Sequence, residues 1–351
     1  MKKLVAAMFA FTCLLLPSKG TLANVTPETA QGNQPSAVLD QKNPQIHHVI
    51  DVQDRHTREL MSIKGVVGTA AGVNDAGRPA VIVYTSATPE PGSIPQSLEG
   101  VPVDVKATGP FEIEKTVKST KFSTTAILPL PLPIGVSTGN VGQCESGTIS
   151  ARVKDSGGNY YALSNNHVYA LENSAPVGSE ITQPGLYDTQ CQLNGNNDIG
   201  ALSRFVTINF SGGNNTVDAA IALTSTSELG NSTPPNGYGT PGSTTASPAI
   251  GMAVQKYGRS TQLTKGAVSA INANVIVDYG SGESATFVNQ IIIGTKKPFI
   301  KAGDSGSLLV TDNTAANPVG LIFAGNSSGN YSIANPIADV LSDLGVTIDG
   351  K

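Results

Sequence analysis

Short β-rich runs separated by turn-forming residues recur from residue 136 to the end of the chain. They read GTISARV, NYYALSNNHV, ALSRFVTI and DAAIAL, then GMAVQKYG, GAVSAINANVIVDYG, ATFVNQIIIG, SGSLLVT and PVGLIFAG. Strands this short cannot each bury an apolar face alone, so they must pair antiparallel and close into barrels or sandwiches. The 38 glycines and 22 prolines supply the turns, and long helices are disfavoured. Residues 232–248, with Pro234, Pro235, Pro241 and Pro248 among glycines and serines, divide the runs in two. The expectation is a mostly β fold with two packed antiparallel barrels, at residues 136–231 and 249–351.

The first 135 residues read differently. Lys2 and Lys3 precede an apolar run over residues 4–16 and a more polar stretch ending in Ala23, the pattern of a secretory signal peptide over residues 1–23. That run is too short to span a membrane. Residues 24–45 are polar and proline-bearing, a flexible leader. Residues 46–61 carry Ile46, Val49, Ile50 and Leu60 at helical spacing, and two β-rich runs follow around an Asn-Asp-Ala-Gly turn at 74–77. Residues 46–115 are therefore expected as a small α/β module. Residues 116–135, with Pro129, Pro131 and Pro133, read as an extended linker. Export leaves only Cys144 and Cys191. In an oxidising compartment such a pair most often forms a disulfide, with two buried thiols as the alternative.

The chemistry concentrates at Lys301-Ala302-Gly303-Asp304-Ser305-Gly306-Ser307. A serine between glycines on a tight turn exposes its hydroxyl and can aim neighbouring backbone N–H groups at one point, as acyl transfer requires. The hydroxyl needs a base. Beyond the N-terminal module the only histidine is His167, in Leu-Ser-Asn-Asn-His-Val. The base needs a buried carboxylate. Asp218 opens an apolar strand, where an unpaired charge would be costly. Asp198, in the turn-like Asn196-Asn197-Asp198, is its rival.

His167, Asp218 and Gly303-Asp304-Ser305-Gly306, in that order, resemble the trypsin/chymotrypsin-like serine peptidase family. The resemblance extends over residues 136–349 and includes Gly258-Arg259-Ser260-Thr261. The module before it, with Gly65-Val-Val-Gly-Thr and Gly100-Val-Pro-Val, resembles an extension found in some members, including the plant narrow-leaf type. The resemblance implies two six-stranded chymotrypsin-like barrels. It implies Ser305 as nucleophile, His167 as general base and acid, and Asp218 as orienting carboxylate. The N–H groups of Gly303 and Ser305 would form the oxyanion hole, with Asp304 in a structural role beside it. It also implies that Phe299, Ala302, Ile322, Phe323, Ala324 and Gly325 wall the first substrate pocket. No acid or histidine stands among these, so cleavage after uncharged, small-to-medium apolar residues is expected. No Ile-Val-Gly-Gly activation site precedes the first barrel, which speaks against the zymogen switch of animal trypsins.

Other classes fit less well. An α/β-hydrolase needs a histidine after the serine, and none follows His167. His47, His48 and His56 lack a metal-binding spacing and read as a solvated helix face. Asn-rich turns near Asp198 read as plain turns rather than calcium loops. A formal charge of −4 indicates no nucleic-acid surface. The sequence thus points to a secreted or periplasmic serine endopeptidase acting on protein or peptide substrates, without cofactor or metal and without membrane attachment. Its alternatives are an inactive peptidase-fold binding module and an esterase on the same fold.

Overall fold

Helix α1 (Pro44–Ser62) begins two residues before the expected start at Ile46, inside the segment expected as leader. The Asn43 side chain accepts from the N–H groups of Gln45 (3.0 Å) and Ile46 (3.4 Å), and Pro44 stands at the first helical position. Its stripe of Ile46, Val49, Val52 and Leu60 is buried. The computed structural model describes residues 38–113, 123–193, 195–280 and 282–351. The signal-peptide reading, most of the leader and residues 116–122 of the linker lie outside them.

Strands β1 (Val66–Val73) and β2 (Pro79–Thr85) form an antiparallel hairpin, and the Gly77 N–H closes its turn on the Asn74 carbonyl at 2.8 Å. The short β3 (Ser97–Leu98) pairs with β4 (Val101–Ala107), which lies parallel to β2. After β5 (Phe111–Glu112) the first barrel begins. Its strands are β6 (Ser137–Asn140), β7 (Gly147–Thr148), β8 (Ala151–Lys154), β9 (Tyr160–Ser164), β10 (Glu180–Gln183), β11 (Asn197–Phe205) and β13 (Ala220–Thr224). The two-residue β12 (Asn214–Asn215) interrupts that order. Residues 147–154 behave as one bent strand: β7 pairs with β6, Ile149 exchanges hydrogen bonds with Gly135 and Val136, and β8 pairs with β9. The circuit β6, β7/β8, β9, β13, β11, β10 therefore returns to β6 as a six-stranded barrel. Ile149, Ala162, Ile181, Ile199, Leu202 and Ala220 fill it.

The second barrel closes more simply. Strands β14 (Ala253–Gly258), β15 (Gln262–Gly280), β16 (Glu283–Gly294), β17 (Leu308–Thr311), β18 (Pro318–Asn326) and β19 (Tyr331–Pro336) are antiparallel to one another within the barrel. They pair in the cycle β14, β15, β16, β19, β18, β17 and back to β14. The chain then forms helix α3 (Ile337–Leu344) and returns β20 (Thr347–Ile348) to pair with β8 of the first barrel. The fold is thus mostly β, a chymotrypsin-like pair of six-stranded barrels. Among the described residues no helix is long and apolar enough to cross a membrane.

Two features differ from the segment-by-segment sequence reading. The N-terminal hairpin does not stand apart: β1 pairs along β15, from Gly68 opposite Val275 to Gly72 opposite Ala270, and so extends the sheet of the second barrel. A strand of 19 residues is longer than a barrel wall needs, and its surplus offers an unpaired ladder to the hairpin. The end of the proline-rich linker is also core rather than spacer, since Leu132 and Ile134 are fully buried among first-barrel residues.

Cys144 and Cys191 form a disulfide with Cα atoms 5.1 Å apart. The sequence separation is 47 residues, and for a closed loop of that length the lost unfolded-state entropy amounts to about 4 kcal/mol. Replacing both cysteines by serine is expected to lower the urea-extrapolated unfolding free energy by about that amount. A loss below about 1 kcal/mol, where the bond only ties together an already ordered loop, would contradict it.

Candidate active site

His167 sits in the single-turn helix α2 (Asn166–Tyr169), directly after β9. Asp218 lies two residues before β13, the neighbour of β9. The Asn165 side chain donates to the Asp218 carbonyl at 2.8 Å, tying the two segments together. The His167 Nδ1 is then 2.6 Å from Asp218 Oδ2, and the His167 backbone N–H donates to Asp218 Oδ1 at 3.2 Å. The carboxylate is fully buried, with the Tyr279 hydroxyl donating to Oδ2 at 2.8 Å. Asn335 Oδ1 accepts from the Asp218 N–H at 3.1 Å. Asp198 is exposed, and its side chain accepts from the Gly200 N–H at 3.0 Å.

This environment sets protonation. Burial disfavours the imidazolium, but the charge of Asp218 and its hydrogen bond outweigh that, with Glu145 and Glu172 adding, so His167 lies above the ordinary imidazole value. Burial, and then the neighbouring Asp218 charge, holds the Tyr279 phenol well above the usual tyrosine range.

Ser305 sits in a loop whose shape depends on two glycines in left-handed conformation, Gly303 (φ 89°) and Gly306 (φ 92°). A Cβ at Gly306 would stand 2.2 Å from the Thr148 carbonyl oxygen. Thr148 pins the loop from the first barrel: its hydroxyl donates to the Gly303 carbonyl and its N–H to the Ser305 carbonyl, both at 2.8 Å. The Gly306 N–H donates to Ile322 on β18 at 2.9 Å. Among the described residues, the N–H groups of Gly303 and Ser305 have no intramolecular acceptor. The Ser305 hydroxyl reaches the Phe323 carbonyl at 3.4 Å. Ser305 and His167 line one cavity, together with Ile113, Glu145, Gly147 and Leu171.

Asp304 is fully buried beneath the loop. It accepts from the N–H groups of Ser260 (2.9 Å), Thr261 (3.1 Å) and Lys301 (2.9 Å) and from the Thr261 hydroxyl (2.6 Å). Its charge partner is Lys256, equally buried, with Nζ 3.2 Å from Oδ2. A lysine on β14 thus meets the acid next to Ser305. Nearby, Arg259 pairs through Nε (2.8 Å) and Nη2 with Asp188, which lies within the disulfide loop of the first barrel. This ion pair joins the two barrels beside Gly303.

Four residues around the site carried no signal of their own in the sequence: Tyr279, Lys256, Asp188 and Asn335. Arg259 stood in a noted motif without an assigned partner. The six residues expected as walls of a substrate pocket do not line this cavity, and all six are buried. Phe299 and Ile322 pack in one apolar cluster, Phe323 and Ala324 in another, and Ala302 and Gly325 are also buried. Phe323 lies against Phe287 with ring centroids 4.7 Å apart, so aromatic packing fills that side of the barrel.

Residues 240–335 match a family described as the Nal1 C-terminal domain, a stretch within the linker and second barrel rather than in the N-terminal module. No curated protein matches the chain. Among solved structures the chain is similar to a glutamic acid specific serine protease described as using a histidine triad in substrate binding. The identity is 20%, covering 62% of this chain and all of that one, with a TM-score of 0.45. It is also similar to a Nocardiopsis protease (17% identity; 62% and 97% covered; TM-score 0.44). Protease A of Thermobifida fusca is a third (17% identity; 62% and 98% covered; TM-score 0.45).

Proposed function

We propose that the chain is an exported serine endopeptidase. The observation that carries this is the buried His167–Asp218 pair sharing one cavity with Ser305, beside two backbone N–H groups that have no acceptor among the described residues. Ser305 Oγ attacks the peptide carbonyl while His167 Nε2 takes its proton. The Gly303 and Ser305 N–H groups receive the oxyanion of the tetrahedral intermediate. His167 returns the proton to the leaving amine, and water repeats the sequence on the acyl-enzyme. Asp218 fixes the tautomer with the proton on Nδ1 and stabilises the imidazolium. Tyr279 and the His167 backbone N–H each donate to that carboxylate and hold it in place. Export is supported by the disulfide and the basic-apolar N-terminal pattern.

The test is labelling by a fluorophosphonate, which reacts with activated serines. Labelling of the wild type and none of Ser305→Ala supports the reading. Absence of labelling in both favours the inactive binding module, which the contact of the Ser305 hydroxyl with the Phe323 carbonyl would suit. Parallel peptide-library and ester digests separate a peptidase from an esterase.

The pH dependence follows from the environment of His167. General-base catalysis needs neutral imidazole, so kcat/KM is expected to rise with pH to a midpoint above the ordinary 6.5. Tyr279→Phe removes a donor that competes for Asp218 Oδ2, strengthening the carboxylate's hold on the imidazolium. The acid limb should therefore move further up, and a downward shift would show that Tyr279 does not act on the pair. For stability the sign is opposite to that for activity. A raised folded-state value stabilises the fold below the unfolded value and loses that contribution as pH rises through the folded one.

A further inference from the structure

One edge of β18 is occupied in an informative order. β17 pairs with it at residues 318–321, and the Ser305 loop then bonds to Ile322 through Gly306 and Ser307. Beyond the loop, β5 takes the same edge, with Glu112 opposite Gly325 and Phe111 opposite Asn326. The opposite side of β5 is laddered to β15, with Phe111 opposite Val277 and Glu112 opposite Asp278. The Ile113 N–H continues this ladder to the Asp278 carbonyl at 3.2 Å. Since β5 runs antiparallel to β18, it heads from Asn326 past Gly325 toward Phe323, the residue whose carbonyl the Ser305 hydroxyl reaches. Its last described residue, Ile113, is 7% exposed and lines the cavity of His167 and Ser305.

An extended peptide is held on a strand edge by main-chain hydrogen bonds, with side chains at alternate positions read by pockets. We propose that the trough between β15 and β18 is a binding site for an extended peptide with apolar residues at alternate positions, and that the chain's own residues 111–113 occupy it. The occupant is anchored at its N-terminal end. The Asn326 side chain donates to the Thr108 carbonyl at 2.8 Å, and the Phe111 ring packs edge-on against Tyr84 of the N-terminal hairpin at 5.6 Å between centroids. The N-terminal module thereby holds a substrate-like strand against the nucleophile, and the full chain is latent toward extended peptides. Latency in this sense rests on the peptidase reading; occupancy of the trough does not.

The test uses the full chain carrying Ser305→Ala, so that binding is read without turnover. The probe is a fluorescein-labelled hexapeptide, Gly-Pro-Phe-Glu-Ile-Glu, identical to residues 109–114. Its apparent Kd is raised by the inverse of the fraction of chains with the trough open, so displacing the resident strand should tighten binding by about tenfold or more. Two added substitutions displace it differently: Glu112→Pro deletes a ladder N–H, and Ile113→Gly removes the side chain at the cavity. Tighter anisotropy-measured binding in both, competed by unlabelled hexapeptide, supports the proposal. Equal or weaker binding in variants that retain a cooperative melt overturns it. Failure of both variants to fold overturns it as well, because a segment the fold cannot lose is not an exchangeable occupant. With Ser305 restored, peptide turnover should rise in the variants. A chain that never labels with fluorophosphonate, yet shows the binding change, sinks the peptidase reading alone.

Discussion

Ser305→Ala and His167→Ala are each expected to lower kcat for peptide hydrolysis by about 10⁶-fold, and the double substitution by hardly more. The reason is that nucleophile and base act as one unit: an alkoxide-like oxygen cannot form unless its proton has a destination. What remains is the contribution of the Gly303 and Ser305 N–H groups and of substrate binding. Asp218→Asn is expected to cost about 10⁴-fold, because the amide presents a donor to Nδ1 and favours the wrong imidazole tautomer. Steady-state kinetics on one peptide substrate, with circular dichroism to verify folding, decide the matter. A larger loss from Asp198→Asn than from Asp218→Asn would overturn the carboxylate assignment, although Asp198 is exposed and bonded to its own turn.

Lys256→Met is expected to destabilise the fold by about 3–5 kcal/mol, since it strands the buried Asp304 charge without its counter-ion. The effect should not stop at stability. Asp304 organises the N–H groups of Ser260, Thr261 and Lys301 around the loop that carries Ser305. Loss of its partner should slow fluorophosphonate labelling at temperatures where the variant is still folded. The double substitution Lys256→Met with Asp304→Asn removes both charges while the amide oxygen still accepts from the neighbouring N–H groups, and it should recover part of the stability. Denaturant melts of the three variants form a double-mutant cycle. A cycle with no coupling would mean that Lys256 is not the partner of Asp304.

Much of this molecule is written locally. Short apolar runs bounded by turn residues suffice for strands such as residues 160–164 and 308–311, which are buried along almost their whole length. The helix at residues 44–62 is legible from apolar residues recurring at a period of 3.6. The contact of His167 with Asp218 was also within reach of the sequence. A carboxylate at the mouth of an apolar strand demands a partner, and beyond the N-terminal module one histidine was available.

What lay beyond the sequence depends on partners distant along the chain. Closure of each barrel, the docking of the N-terminal hairpin on β15 and the placement of β5 against β18 are backbone ladders, and backbone N–H and C=O groups are the same in every residue. No side-chain pattern announces which edge they will fill. Lys256 reads in sequence as a surface lysine on a strand, and only burial opposite Asp304 gives it a role. Tyr279 reads as one more strand aromatic until the fold brings its hydroxyl to Asp218, 61 residues away. The sequence determined the kinds of element and the chemistry available to them; the tertiary structure determined adjacency, because adjacency is the property that long-range pairing alone creates.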